Sequence, residues 1–249
     1  MRQITFTVII ACYNAEQHIE QALLSVIHQK DESVELIVVD GKSSDGTMNI
    51  VNRYKDDINV IISEPDQGVY DAWNKAIARS HGQWIMFLGA DDYYKNGIFN
   101  IYSQFMEENS VEDIDLISAK CELINDSGKV LRVFGAPYKW TEFRNKNRLS
   151  HGSALHNRHL FEEVGLFSMN YKISADYELL LRKKMRTLFL DKVVIAMRAG
   201  GMSYSAKGLT QTFMVKRFRH SSYLIFDIYY LIKGLTGFYL RKLYWYFAK

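Results

Sequence analysis

Polar side chains follow several apolar runs in the first half of the chain. Asn14, Asp40, Glu64 and Asp91 each lie at or just beyond the end of such a run. If the runs are neighbouring parallel strands, these side chains converge on one crevice at the carboxyl edge of a sheet. Adjacent Asp91 and Asp92 offer the oxygen ligands that hard cations such as Mn²⁺ or Mg²⁺ prefer. A cation held there would neutralise charge on phosphate oxygens; the alternative is an exposed acidic turn without a ligand.

The spacing of apolar residues predicts the elements that position these groups. Strands are predicted over 5–12, 34–40, 58–63 and 84–88, with helices over 15–29, 47–54 and 68–78. Buried strands that alternate with helices are typical of βαβ units and a parallel sheet. In the second half we predict strands over 116–123, 130–134 and 193–197 and helices over 138–144, 157–164 and 175–184.

Composition places the chain among folded globular proteins. Of its 249 residues, 48% are hydrophobic and 24% are charged, which allows one large α/β domain or one domain with an appendage. Cys12 and Cys121, the two cysteines, have neither disulfide nor metal-site spacing and are interpreted as small buried apolar residues. Because no stretch is long and apolar enough to span a bilayer, we expect a cytoplasmic protein, peripheral on the cytoplasmic face of the membrane.

The last part of the sequence differs in charge from the rest. Residues 204–249 contain eight Lys or Arg, thirteen aromatics and one acid, Asp227. We predict a helical tail with a break near Gly234 that contacts an anionic membrane surface. The alternatives are a cover for the catalytic domain or a homodimer interface. Nothing else in the sequence favours nucleic acid as a partner.

Three groups of segments carry a family resemblance. They are Val8–Asn14 with Glu35–Thr47, Ser63–Lys75 with Gly82–Asp92, and His151–Ser153 with Ile173–Arg182. Their order and spacing resemble the family 2 glycosyltransferases of GT-A fold, inverting enzymes of the kind that builds bacterial surface polysaccharides. The resemblance covers about 180 residues, the length of a domain, and excludes the tail.

The resemblance implies a fold and an activity. The fold is a GT-A-like nucleotide-binding mixed sheet flanked by helices, with a C-terminal helical tail rich in basic and aromatic residues. The expected domains are 1–203, divided into a nucleotide-binding half (1–92) and an acceptor half (93–203), and the tail 204–249. The implied reaction moves a sugar from a nucleotide diphosphate donor, UDP-sugar favoured and GDP-sugar possible, to a hydroxyl of a glycan or lipid-linked oligosaccharide.

The resemblance also implies roles for single residues. Asp40 would hydrogen-bond the base or ribose, and Asn14, Asp66, Asp91 and His151 would also bind the donor. Asp91 and Asp92 would hold Mn²⁺ or Mg²⁺, although Gly89 replaces the first acid of the family's Asp-X-Asp motif.

Asp176 would be the catalytic base, with Glu178 as the fallback. Each assignment has a structural alternative: Asp176 in the first turn stabilises its helix, and His151 is a structural histidine. For Lys75 the two alternatives are contact with a donor phosphate and a solvated position on the surface of a helix.

Two other functions compete with glycosyl transfer. A sugar nucleotidylyltransferase would carry a glycine-rich basic loop after the first strand, and 12–15 lack one. A noncatalytic nucleotide-sugar binder or a membrane-docked assembly partner would not need Asp91, Asp92 and Asp176 together.

Overall fold

The apolar runs form the strands of a mixed β-sheet in a computed structural model that describes residues 4–201, 205–219 and 223–247. In this described part the strands are β1 (Phe6–Cys12), β2 (Val34–Asp40), β3 (Val60–Ser63), β4 (Trp84–Gly89), β5 (Tyr93–Tyr94), β6 (Leu116–Ile124), β7 (Val130–Phe134), β8 (Leu155–Asn157) and β9 (Thr187–Arg198). Their order across the sheet is β3-β2-β1-β4-β8-β6-β9-β5, and β7 pairs with β6 outside this path.

Strands β1 to β4 form the parallel part of the sheet, with β1 between β2 and β4. Ile9 and Ile37 are fully buried, as expected where both faces of a parallel sheet are covered. The register pairs Cys12 with Asp40 and Asp40 with Ser63, so the carboxyl ends of these strands are aligned. Strand β8 is antiparallel to both β4 and β6, which makes the sheet mixed, as predicted.

Helices connect the strands and cover the sheet. They are α1 (Ile19–Ile27), α2 (Thr47–Arg53), α3 (Val69–Ile77), α4 (Ile98–Glu107), α5 (Trp140–Phe143), α6 (Arg158–Val164), α7 (Ala175–Leu180), α8 (Ala206–Phe218) and α9 (Leu224–Phe247). On one face of the sheet, Phe6 shares a core with Tyr102 of α4. On the other face, Phe87 contacts Trp73 of α3 and Phe161 of α6.

The chain divides into two compact units. The first holds the strands with α1 to α4 and α6, and comprises the chain up to Tyr138 together with Arg148–Phe167 and Met185–Ala199. The second holds α5, α7, α8 and α9, and comprises Lys139–Asn147, Ser168–Lys184 and the chain after Ala199. The domain boundaries that we expected from the sequence stay predictions.

Polar contacts connect the helices of the second unit. The Tyr177 hydroxyl donates to the carbonyl oxygen of Phe143 at 2.8 Å, which joins α7 to α5. The backbone N–H of Ile173 donates to Oε1 of Gln211 at 2.9 Å, which joins the start of α7 to α8. Helix α7 is therefore fixed from two sides.

The predicted break near Gly234 is wrong, because α9 runs without interruption from Leu224 to Phe247. A Cβ atom at Gly234 would lie 2.9 Å from Cδ2 of Leu209 on α8. The glycine therefore allows α8 and α9 to approach closely instead of ending the helix. Of the described helices, none has the length and apolar character needed to cross a membrane.

Other differences from the predicted elements have local causes. Strands β5 and β8 contain two and three residues, too few for a periodic pattern. Helix α4 was missed because it follows Gly97, whose φ is 79°, and lacks the usual polar residue at its start. Strand β9 begins at Thr187, six residues earlier than predicted, and α7 ends at Leu180 instead of 184.

Candidate active site at the carboxyl edge of the parallel strands

The loops that follow β1 and β2 are hydrogen-bonded to each other. The backbone N–H of Asn14 donates to Oγ of Ser43 at 2.9 Å, and Oδ1 of Asn14 accepts from the backbone N–H of Ser44 at 2.9 Å. Asn14 has a φ of 49°, a left-handed conformation that asparagine adopts more readily than most residues. Asn14, predicted to bind the donor, therefore lies exposed at the strand edge with its side chain oriented by Ser44.

Asp40 is fully buried where β2 ends. Its Oδ1 accepts from Oγ of Ser43 at 2.5 Å and from the Ser43 backbone N–H at 3.1 Å, and its Oδ2 accepts from Oγ of Ser63 at 2.7 Å. These donors fix the carboxylate and tie together the loops after β2 and β3. The Ser43 backbone N–H also lies 3.2 Å from Oδ2, so four hydrogen bonds occupy this carboxylate. The predicted contact of Asp40 with the base or ribose stays a prediction.

Cys12 lies beside this acid, with its Sγ 4.0 Å from Oδ1 of Asp40. Burial, followed by the negative charges of Asp40, Asp45 and Asp66, raises the pKa of Cys12 to about 12. The thiol is therefore protonated at neutral pH and unsuited to act as a nucleophile or metal ligand. The structure places Cys12 and Cys121 in the interior as free cysteines, as predicted.

Asp66 lies in the loop between β3 and α3. Its Oδ1 accepts from the backbone N–H of Gly68 at 2.8 Å. A Cβ atom at Gly41 would lie 2.5 Å from Oδ2 of Asp66, so the absence of a side chain at 41 lets this carboxylate approach the end of β2. Asp66, also predicted to bind the donor, is thereby brought next to Asp40.

Lys75 stabilises the same loop. Its Nζ donates to the carbonyl oxygen of Pro65 at 3.0 Å and forms ion pairs with Glu64 at 2.9 Å and Asp71 at 3.3 Å. We expected Lys75 either to contact phosphate or to be solvated. The structure shows a third arrangement, in which Lys75 bridges the loop.

Asp91 and Asp92 converge directly after β4. A Cβ atom at Gly89 would lie 3.0 Å from Oδ1 of Asp91 and 2.8 Å from Oδ2 of Asp92. The two carboxylates thus approach one point, and they occupy the space that a side chain at 89 would need. This explains how glycine can stand where the family motif has its first acid.

Asp92 is 8% exposed, and its Oδ1 accepts from the backbone N–H of Arg198 on β9 at 2.9 Å. Burial, and then the charge of Asp91, raises the pKa of Asp92 to about 7. The charge and the backbone N–H of Arg198 oppose this rise without cancelling it. Two adjacent carboxylates that are not in an ion pair favour a bound cation.

The residues present fit a hard divalent cation of the Mg²⁺ type, which usually takes one or two carboxylates and completes its shell with substrate phosphates and water. Within the described ranges there is no group of three His, Cys, Asp or Glu that could hold a metal. Asp91 and Asp92 stay the predicted metal ligands.

His151 lies in an aromatic cluster of the first unit. Its ring stacks on Trp73 at 5.0 Å and on Phe87 at 5.1 Å, measured between ring centroids, and lies 4.7 Å from His156. Burial lowers the pKa of His151 to about 3, so the imidazole is neutral. Its buried Nε2 has no hydrogen-bond partner among the described residues. The predicted contact of His151 with the donor stays a prediction.

Asp176, the predicted base, lies in the first turn of α7 in the second unit and is half-buried. Glu178, the fallback, is 1% exposed and is paired with two guanidinium groups, Arg182 at 2.6 Å and Arg219, whose Nε lies 2.7 Å from Oε1. This double pairing suits a structural role for Glu178. Asp176 stays the predicted base.

Sequence reasoning missed two residues at the strand edge. Tyr13 exposes 64% of its surface and immediately precedes Asn14. Its position next to a residue predicted to bind the donor could have identified it. Arg198 holds Asp92 through its backbone N–H. No local signal marks Arg198, because its position depends on the pairing of β9 with β6, far away in the sequence.

Comparisons with known proteins identify the family of the chain. Residues 7–165 match the family model described as glycosyl transferase family 2. The PGL/p-HBAD biosynthesis glycosyltransferase of Mycobacterium bovis is 27% identical over 221 residues, which are 86% of this chain and 82% of the relative.

Two solved structures are similar in fold. Staphylococcus aureus TarS, a poly(ribitol-phosphate) β-N-acetylglucosaminyltransferase, has a crystal structure of residues 1–349 with a TM-score of 0.63 at 20% identity. The match covers 86% of this chain and 65% of that one, and the same TarS fragment has been solved with UDP-GlcNAc.

The mannosyltransferase PcManGT from Pyrobaculum calidifontis, in complex with GDP-Man and Mn²⁺, has a TM-score of 0.64 at 17% identity and covers 95% of this chain and 75% of its own. These likenesses confirm the predicted GT-A-like fold. Because the family model spans well over half of the sequence, the chain belongs to glycosyl transferase family 2.

Proposed function

We propose that the chain is an inverting, metal-dependent glycosyltransferase of the hexosyltransferase type. It moves a sugar from a nucleotide diphosphate donor, a UDP-sugar in preference to a GDP-sugar, to a hydroxyl of a lipid-linked glycan in surface polysaccharide synthesis. The observation that carries this proposal is the convergence of the Asp91 and Asp92 carboxylates at Gly89, at the end of β4 and next to β1, which leads into Asn14.

The nucleoside binds at the loops after β1 and β2. Asp40 accepts from a base N–H or a ribose hydroxyl, as the family resemblance implies, and the exposed ring of Tyr13 is available for stacking on the base. Asp66 and Asn14 border the same edge. The UDP-GlcNAc bound to TarS and the GDP-Man bound to PcManGT support a donor of this class.

The diphosphate lies at Asp91 and Asp92. These two carboxylates would hold Mn²⁺ or Mg²⁺, which supplies neutralisation of the charge that develops on the departing nucleoside diphosphate. The Arg198 backbone N–H orients Asp92 for this task. The Mn²⁺ in the PcManGT complex supports the assignment.

Asp176 removes the proton of the acceptor hydroxyl as the oxygen attacks the anomeric carbon. Attack from the side opposite the leaving group inverts the anomeric centre. Glu178 does not take this role, because its carboxylate oxygens are engaged by Arg182 and Arg219. The protein works on the cytoplasmic face of the membrane, where a lipid-linked acceptor and a nucleotide-sugar donor meet.

The test is a turnover assay with a panel of UDP- and GDP-sugars, in which release of nucleoside diphosphate is measured with and without Mn²⁺. We expect metal-dependent release from one donor class, accelerated by a lipid-linked acceptor. A folded protein that turns over none of the donors under any condition would overturn the proposal in favour of a noncatalytic binder.

A further inference from the structure

The hairpin formed by α8 and α9 exposes large apolar side chains along the described part of the second unit. Those that expose between 53% and 77% of their surface include Tyr223, Leu224, Ile225, Phe226, Ile232 and Leu240. Soluble monomers rarely expose apolar side chains in so dense a group, and such patches mark interaction surfaces.

In the described part of the hairpin, the exposed charged side chains are positive. Asp227, the single acid between residues 204 and 249, is 2% exposed. Its carboxylate is paired with Arg217 at 3.0 Å and with Lys216 at 3.5 Å. Lys207 and Lys233, in contrast, are exposed. Folding thus removes the one negative charge from the surface and leaves positive charge among the apolar side chains.

We propose that the α8–α9 hairpin docks on the surface of an anionic lipid bilayer. Its aromatic and aliphatic side chains lie at the level of the headgroups, and the exposed Lys207 and Lys233 lie against lipid phosphates. The helix lies in the interface plane, in keeping with the finding that no described helix is apolar enough to span a bilayer.

Charge complementarity favours lipid over a second copy of the chain. Two such hairpins packed face to face would bring lysines together with no exposed acid to pair with them, since Asp227 is buried. The exposed apolar positions of α9 also include neighbours such as Ile225 and Phe226 as well as Ile228 and Ile232. This distribution is wider than the narrow seam of a helix–helix interface.

Docking would also fix the helix that carries the proposed base. Within the second unit, Gln211 and Arg219 of the α8 segment bond to Ile173 and Glu178 at the two ends of α7. Asp176 therefore belongs to the same packed unit as the docking hairpin. This part of the inference rests on the proposed function, whereas lipid binding itself does not.

The experiment is vesicle flotation of the full chain, without donor or acceptor. The vesicles contain phosphatidylcholine with phosphatidylglycerol, or phosphatidylcholine alone. The Ile225→Glu/Ile232→Glu variant is compared with a matched control, Val130→Glu/Leu131→Glu, which makes the same change at exposed positions of β7 in the first unit. Thermal unfolding verifies that each variant is folded.

We expect the wild type and the control to bind the anionic vesicles, with weaker binding at high salt. The α9 variant should bind at least about tenfold less. Equal binding by the α9 variant, or no binding by the wild type, would overturn the inference. A dimer that the α9 variant converts to monomer, without vesicle binding in either, would assign the face to a second copy. Because nucleotide binding is measured separately, failure of docking is distinguishable from failure of the proposed enzyme.

Discussion

The buried acids Glu178 and Asp227 of the second unit and the Asp91–Asp92 pair of the first unit have opposite surroundings. In the second unit, Glu178 lies between two guanidinium groups and Asp227 lies between Lys216 and Arg217. In the first unit, Asp92 lies beside Asp91, and neither forms an ion pair with a Lys, Arg or His among the described residues. Burial and this neighbour raise the pKa of Asp92 to about 7.

The difference separates structural acids from ligand acids. A buried carboxylate whose counter-ions come from the chain holds helices together and has no need of a ligand. Two carboxylates that face each other at the mouth of a strand edge favour a cation from outside. We therefore interpret Asp91 and Asp92 as functional, and Glu178 and Asp227 as structural.

The largest loss of activity is expected from substitutions at Asp91 and Asp92. Asp91→Asn and Asp92→Asn should each reduce transfer by about a thousandfold, because the amide removes the charge that attracts the cation. Release of nucleoside diphosphate measures the effect. Asp113→Asn, at a side chain that is 85% exposed, is the matched control. Full activity in both site variants would end the metal assignment.

A smaller effect is expected at the proposed base. Asp176→Asn should lower kcat at least about a hundredfold, because an amide cannot accept the acceptor proton, while donor affinity stays unchanged. Steady-state kinetics with calorimetry of donor binding separate the two quantities. Normal turnover by this variant would remove Asp176 from the mechanism and leave its place at the start of α7 as a structural one.

Glu178→Ala should act on stability. The change leaves Arg182 and Arg219 without their shared carboxylate, and breaking such a buried pair costs about 3 kcal/mol of unfolding free energy. Urea unfolding measures the loss, and the same change at exposed Glu142, which forms an i,i+3 pair with Lys139, should cost less than about 1 kcal/mol. If the two variants were equally stable, the structural role of Glu178 would be wrong.

The buried histidines differ from both groups of acids, because they are titratable groups in apolar surroundings. Burial lowers the pKa of His151 to about 3 and lowers that of His156 well below its usual range. Between the unfolded pKa near 6.5 and the folded value, the unfolded chain binds more protons. Stability is therefore full above about pH 6.5 and falls as the pH drops, by at most about 1.4 kcal/mol per pH unit for each histidine.

The His151→Phe variant tests this sign, because it keeps a ring between Trp73 and Phe87. Its unfolding free energy should depend less on pH between about 3 and 6.5 than that of the wild type. His28→Gln, at an exposed histidine, should leave the slope unchanged. An unaltered slope in His151→Phe would mean that this imidazole is not held neutral by burial.

The sequence predicted the parallel part of the sheet because β1, β2 and β4 are continuous apolar runs ended by polar residues. It also predicted that Asp91 and Asp92 lie in the loop directly after β4. It did not predict β8, whose three residues pair with β4 and β6 from distant parts of the chain.

Side-chain partners were beyond prediction for a related reason. The Glu178–Arg219 pair joins residues 41 positions apart, and no local pattern reports such a contact. Gly234 shows the same limit. A glycine in a helical segment predicts a break, whereas in the structure Gly234 lies within a helix and allows close packing against Leu209 of a different helix.

We propose that the Asp91–Asp92 pair and the Asp40 loops form one metal-dependent donor site. Calorimetry of UDP, GDP and CMP binding, each with and without Mn²⁺, tests it most directly, with the Asp91→Asn/Asp92→Asn variant beside the wild type. We predict metal-dependent binding of one nucleoside diphosphate, UDP in preference to GDP, that the variant loses. Binding that is indifferent to Mn²⁺ and to the variant, or no binding by a folded chain, would contradict the account.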